Sequence, residues 1–318
     1  MKNSLFLLGA AAVVALSSCS QSEVMEVAEN RAIGFETFVG KSTRAVNDLN
    51  GENKFTKFII YGAFTKDGKT ATVFDANEAT RTNDEAPWSY PLEYWIEGAQ
   101  YKFAAYSNGN GTANAEFDEK SGQLTIKEYE VSNNDLVLVD GVEATGLKTE
   151  NKTVALTMKH LLSKVNFKFA TTYAPNLTVT VSDLKIKQAV NKGTHNDSWS
   201  LIEDTKVDKL YANVTAKATG VESEECYLLP QSNTGLNASF TVTVTYEDGS
   251  IVAKKDFTNV SLASGDENKW NEAYTYTYSA NIKPENMGGG EVESKPIVFI
   301  PSADDWTEGS VTDSDILN

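Results

Sequence analysis

Phe240-Thr241-Val242-Thr243-Val244-Thr245-Tyr246, the link Glu247-Asp248-Gly249-Ser250, and the run Ile251 to Phe257 (IVAKKDF) decide the fold class. Valine and aromatic residues alternate with threonine, the period of a strand with one face toward a core and one toward solvent. Asp-Gly readily supplies the positive φ that a tight turn demands, so the stretch predicts an antiparallel hairpin.

The same signature recurs on both sides of the hairpin. Ile33, Phe35 and Val39 alternate near the start, and runs follow at 55–64 (FTKFIIYGAF), 100–106 (QYKFAAY), 123–129 (QLTIKEY) and 136–139. Further runs lie at 164–169 (KVNFKF), 177–181 (LTVTV), 183–187 (DLKIK), 274–278 (YTYTY) and 297–300. Asn, Asp and Gly separate them, and no long amphipathic stretch carries helix caps. About a dozen short strands exceed what one sandwich holds, so the reading is all-β, with two sandwiches in tandem. The division falls between Asn151 and Lys164, which sets the units at 32–158 and 159–318. No short-period repeat points to a solenoid or propeller.

Ahead of the first run, Lys2 precedes an apolar segment at 5–16 (LFLLGAAAVVAL) and then Ser17-Ser18-Cys19. This is the pattern of a secretory signal at 1–18, too short for a span that needs roughly 20 apolar residues. Leu16-Ser17-Ser18-Cys19 resembles a bacterial lipobox, which implies cleavage before Cys19 and a diacylglycerol on its sulfur. Acyl chains contribute about 0.8 kcal/mol per buried methylene, enough to hold a protein on a bilayer without a spanning helix. Residues 19–31 are polar and acidic and read as a tether. Once Cys19 is acylated, Cys226 has no partner within the chain, so apolar burial must hold the fold. The net charge of −16 opposes binding to nucleic acid or to an anionic membrane surface.

Chemistry-bearing residues are sparse. His160 sits in MKHLLSK and His195 in GTHND; neither has a second histidine or cysteine at ligand spacing, so no metal or cofactor is assigned. His160 reads as structural, near a strand end, and His195 as part of an exposed loop. A Ser-His-Asp set converges only in the fold and stays open, but no G-x-S-x-G is present. Asp67-Gly68-Lys69-Thr70 ends like a phosphate loop without the upstream glycine and reads as a hairpin turn. Asp304-Asp305 and Glu224-Glu225 read as solvated surface, so no catalytic residue is named. Trp88, Trp95, Trp199, Trp270 and Trp306 serve either a core or a sugar-stacking platform; a core is favoured for most of them.

Several segments, in order, resemble the fimbrillin family of Bacteroidetes, pilin-like lipoproteins that build type V fimbriae. They are Cys19, Ile33 to Val39, Thr43-Arg44-Ala45, Trp88-Ser89-Tyr90-Pro91, Tyr94-Trp95 and Tyr101 to Tyr106. His160-Leu161-Leu162-Ser163-Lys164-Val165-Asn166-Phe167 is the most specific, followed by Tyr227-Leu228-Leu229-Pro230-Gln231. Trp270 before Tyr274-Thr275-Tyr276, and Val298-Phe299 ahead of Asp305-Trp306, close the pattern.

The resemblance implies two transthyretin-like Greek-key sandwiches and an outer-membrane lipoprotein exposed at the surface. It also implies an arginine-specific protease that cuts after the first strand, here after Arg44. Loss of that strand (Ile33, Phe35, Val39) opens an edge and a groove that an incoming strand fills. The candidate donor is 296–306, with Ile297, Val298, Phe299, Ile300 and Trp306, behind the glycine-rich Met287-Gly288-Gly289-Gly290. Such contacts do not close, so they build homo- or hetero-polymers of fimbrial subunits. The same tail completing its own sheet is the competing arrangement. The resemblance covers stalk, tip and anchor subunits alike. A non-polymerising lipoprotein that binds a host or glycan ligand is the alternative, and it calls for an exposed, coplanar aromatic pair.

Overall fold

The computed structural model describes residues 31–39, 56–83, 86–109, 111–147, 153–263, 268–288 and 294–305. Cys19, Arg44 and Trp306, the signal segment 1–18 and most of the tether lie outside them.

The first half forms β1 (Gly34–Val39), β2 (Lys57–Lys66), β3 (Lys69–Thr80), β4 (Gln100–Ser107), β5 (Asn114–Phe117), β6 (Leu124–Glu130), β7 (Val137–Thr145) and β8 (Thr153–His160). Six of these make one sheet in the order β1-β8-β7-β4-β2-β3. Its neighbours are antiparallel except β1 and β8, which run parallel. Strands β7 and β8 pair only at Val137↔His160 and Leu138↔Lys159. The sheet turns there and lays β1 and β8 over β2, β3 and β4. Strict alternation then divides the side chains. Phe58, Ile60, Phe103 and Ala105 meet Phe35, Leu156 and Met158 in one core, while Ile59, Tyr61, Ala104 and Tyr106 face the other way. Gly62 sets the closest approach in the first core. A Cβ there would stand 2.7 Å from the Phe103 ring, so only glycine lets that ring lie against β2.

The second half forms β9 (Ser163–Thr171), β10 (Leu177–Val190), β11 (Lys192–Asn196), β12 (Ser198–Leu201), β13 (Lys206–Leu210), β14 (Val214–Ala216), β15 (Val221–Glu222), β16 (Cys226–Leu228), β17 (Asn237–Tyr246), β18 (Ile251–Ser261) and β19 (Tyr274–Ile282). A single helical turn, α1 (Pro284–Met287), and β20 (Ile300–Asp305) complete it. One sheet runs β13-β10-β17-β18 with β14 beside β10; the other runs β15-β9-β19-β20 with β16 beside β9. They enclose Phe167, Phe169, Val181, Phe240, Trp270 and Tyr278. Cys226 lies at the margin of this core, and burial pushes its thiol up to about 11.

Both expected hairpins form. Gly249 has φ +83° between β17 and β18, and the Asp248 carboxylate accepts the Ser250 N–H at 2.9 Å. Asp67 and Gly68 both take positive φ, 51° and 73°, between β2 and β3, as a primed two-residue turn requires. Residues 177–181 and 183–187, read as two strands, are one. Its register shifts between Ser182 and Lys185, Asp183 stands at φ +52°, and the buried set changes from Val179 and Val181 to Leu184 and Ile186. That β-bulge changes the parity of the alternation without ending the strand.

A fourth sheet, β12-β11-β6-β5, draws strands from both sides of the expected division at 158/159. It covers Ile59, Tyr61 and Tyr106, and its core also takes in Leu161, Leu162, Val190 and Leu229. His195 corrects a sequence expectation: it is buried on β11, opposite Ile126 of β6, and is not in an exposed loop. Its polar neighbours in GTHND concealed the strand because the pairing partner comes from the other half of the chain. The Nε2 atom lies 3.4 Å from Glu272 Oε1.

Candidate assembly site

Strand β1 is an edge strand, paired to β8 from Gly34↔Thr153 to Val39↔Met158. Among the described residues no strand pairs with its outer side. Ile33, just before it, is 1% exposed and Phe35 is 7% exposed, so both side chains fill the core. The Phe35 ring sits 5.4 Å from those of Phe74 and Phe103, 5.3 Å from Tyr90 and 6.5 Å from Phe58. Burial raises the Tyr90 phenol above its usual value, and its hydroxyl donates to the Ile33 carbonyl at 3.1 Å. The Ile33 N–H donates to Glu93 O at 2.8 Å, and the Trp95 N–H to Arg31 O at 2.9 Å. This explains the aromatic segment Trp88 to Trp95 physically: it is the lid on the inward face of β1. Val39 is paired through its backbone with Met158.

The C-terminal tail is seated in its own half. Residues 296–299 carry no ladder pairing; the strand there is β20, later than the sequence suggested, and it runs antiparallel to β19 from Ser279↔Ile300 to Tyr274↔Asp305. Ile297 and Phe299 are 5% and 7% exposed, while Val298 and Ile300 are 71% and 73% exposed. Phe299 packs among Phe167, Phe169, Phe240 and Tyr278 at centroid distances of 5.2–6.1 Å. A strand with one solvated face normally alternates apolar with polar residues. This segment is apolar on both faces, and its own domain buries only one of them.

The junction segment HLLSK ties the halves together. Nδ1 of buried His160 lies 2.6 Å from Asp135 Oδ2, and Asp135 Oδ1 accepts the Leu136 N–H at 2.7 Å. Trp199 donates to Leu161 O at 2.7 Å, and the Ser163 hydroxyl to Asn271 O at 2.8 Å. Gln231 of LLPQ is buried: its Oε1 accepts the Val190 N–H, and its Nε2 donates to the Val190 and Leu229 carbonyls. Sequence reasoning valued these motifs as signatures but not as the bracing they provide. Trp95 and Trp270 are buried, Trp88 packs edge-on to Phe58 and under Arg81, and Trp199 lies by Tyr129. None of these four forms an exposed, coplanar pair. Among the described residues no group of His, Cys, Asp and Glu is arranged to hold a metal ion.

The comparisons with known proteins agree with this architecture. The chain is similar in fold to a fimbrial protein of Bacteroides vulgatus, with a TM-score of 0.59 at 18% identity, covering 87% of this chain and 100% of the other. A candidate cell adhesion protein of Bacteroides uniformis gives 0.52 at 16% identity, covering 87% and 98%. No curated protein sequence matches the chain. A family model described as "Fimbrillin-like" matches residues 43–296, taking in both sandwiches and the junction while stopping short of β1 and the tail. On that match, over most of its length, the chain belongs to the fimbrillin-like family.

Proposed function

We propose that this protein is a structural fimbrial subunit, without a catalytic role, anchored to the outer membrane through Cys19 and polymerised by strand exchange. The observation that carries the reading is the placement of β1: an edge strand whose loss frees β8 from Thr153 to Met158 and empties two adjoining pockets. Each of those side chains contributes about 1.5–3 kcal/mol of burial, so β1 does not leave unaided. While it is attached to the body it refills its slot at an effective concentration in roughly the millimolar range. A cut after Arg44 makes it a separate chain, and a neighbour's tail competes on equal terms.

The tail suits the slot. Ile33 and Phe35 are two residues apart, and so are both apolar sets of the tail, Ile297 with Phe299 and Val298 with Ile300. Either set places its side chains at the spacing of the vacated pockets. The contact joins different surfaces on the two copies, so it propagates as a filament. The partners are therefore further fimbrial subunits, the arginine-specific protease and the membrane that holds the lipid.

Treatment with an arginine-specific protease is expected to shorten the wild-type chain to a form beginning at Ala45 and to start a ladder of oligomers resistant to detergent. Arg44→Ala is expected to remain full length at that position and monomeric. Ladders from intact Arg44→Ala protein would contradict the reading.

A further inference from the structure

The root of the tail is held by side chains that neither core requires. Asn286 of α1, 6% exposed, stands at the centre. Its Oδ1 accepts the Lys283 N–H at 2.7 Å, which fixes the turn, and its Nδ2 donates to the carbonyls of Lys295 at 3.2 Å and Pro296 at 3.3 Å. Lys255 Nζ, from β18, bridges the Asn286 carbonyl at 2.8 Å and Ser294 Oγ at 2.5 Å. Glu285 closes the cluster. Its carbonyl accepts the Lys295 N–H at 2.9 Å and its carboxylate meets Lys295 Nζ at 2.9 Å.

These bonds matter because of what lies beyond them. Between Pro296 and Phe299 the tail has no ladder pairing, and its buried side chains there are Ile297 and Phe299. β20 is itself an edge strand whose side chains are mostly exposed. A segment docked by two side chains and one edge ladder is prone to local opening. Two bonds donated by a buried amide to the carbonyls at its root oppose that opening.

We propose that Asn286 is a clasp: a positioning residue that retains the C-terminal tail in its own core and sets how readily the tail becomes available to a second copy of this chain. The retention stands on the contacts alone; its consequence for assembly rests on the strand-exchange reading.

Asn286→Asp separates the roles of the side chain. The carboxylate still accepts the Lys283 N–H but has nothing to donate to the tail carbonyls. Hydrogen exchange of the β20 amides is expected to speed up about tenfold, with β10 and β17 unchanged. Ser294→Ala, a half-buried position outside the core, removes only the Lys255 bridge and is expected to speed the same amides about threefold. It decides the matter should Asn286→Asp lose protection in β17 as well. Wild-type exchange rates in β20 with β17 still protected would overturn the clasp. In protease-cut protein, faster ladder growth by Asn286→Asp supports the whole proposal. A looser tail with unchanged ladder growth keeps the clasp and refutes donation of the tail.

Discussion

Phe35→Ala is expected to destabilise the uncut protein by about 3–5 kcal/mol, the range for removing a fully packed phenylalanine ring. The ring is 7% exposed and touches four other aromatic rings from β2, β3, β4 and the Trp88–Trp95 lid. Those neighbours are held in strands or by backbone bonds, so they cannot collapse fully into the space. Urea unfolding followed by tryptophan fluorescence measures the loss, because Trp88 and Trp95 report on this core. The strand-exchange account adds a second, sharper expectation. In a fibre the Phe35 pocket belongs to a neighbour's tail, so fibres from wild-type and Phe35→Ala protein should withstand the same urea concentration. The variant should also form ladders sooner after cleavage, since its own strand competes less well.

Asp135→Ala is the second large effect, expected to destabilise by about 3–5 kcal/mol. Asp135 is fully buried at the entrance to β7, with one oxygen 2.6 Å from the His160 imidazole and the other bonded to the Leu136 N–H. Removing the carboxylate strips two buried polar groups of that partner at once, in the segment that leads into Leu161 and Leu162. Asp135→Asn keeps the shape and one acceptor and is expected to lose less than half as much. Equilibrium unfolding of the two variants side by side measures the difference. Equal losses in the two variants would contradict this, because they would mean that the shape and the retained acceptor contribute nothing and the charge carries the whole effect.

The amphipathic strands were legible because alternation is local. FTVTVTY and its Asp-Gly turn specify the β17–β18 hairpin without help from the rest of the chain. Elements whose stability comes from distant partners were not. Strands β11 and β12, in KGTHN and SWSL, carry little apolar alternation; they form a hairpin that joins a sheet because β11 pairs with β6 of the other half. His195 was misplaced for the same reason. The bulge at Asp183 reverses parity within one strand, which imitates two strands with a break. At the candidate assembly site, Ile33 and Phe35 were found by period alone. The Asn286 clasp was not, because nothing in PENM distinguishes a buried amide from a surface one. The tail was found as an apolar run, but its seat against Phe167, Phe169, Phe240 and Tyr278 depends on residues distant in sequence, and the run itself carries no record of them.

Native mass spectrometry of subunits cut after Arg44 tests the central claim most directly. The peptide ending at Arg44 carries β1, so it should remain bound to each monomer and leave as each link forms, one peptide per link, with each ladder keeping a single peptide at its one unfilled slot. Ladders in which every subunit still holds that peptide would show that the β1 slot is not where one copy grips the next.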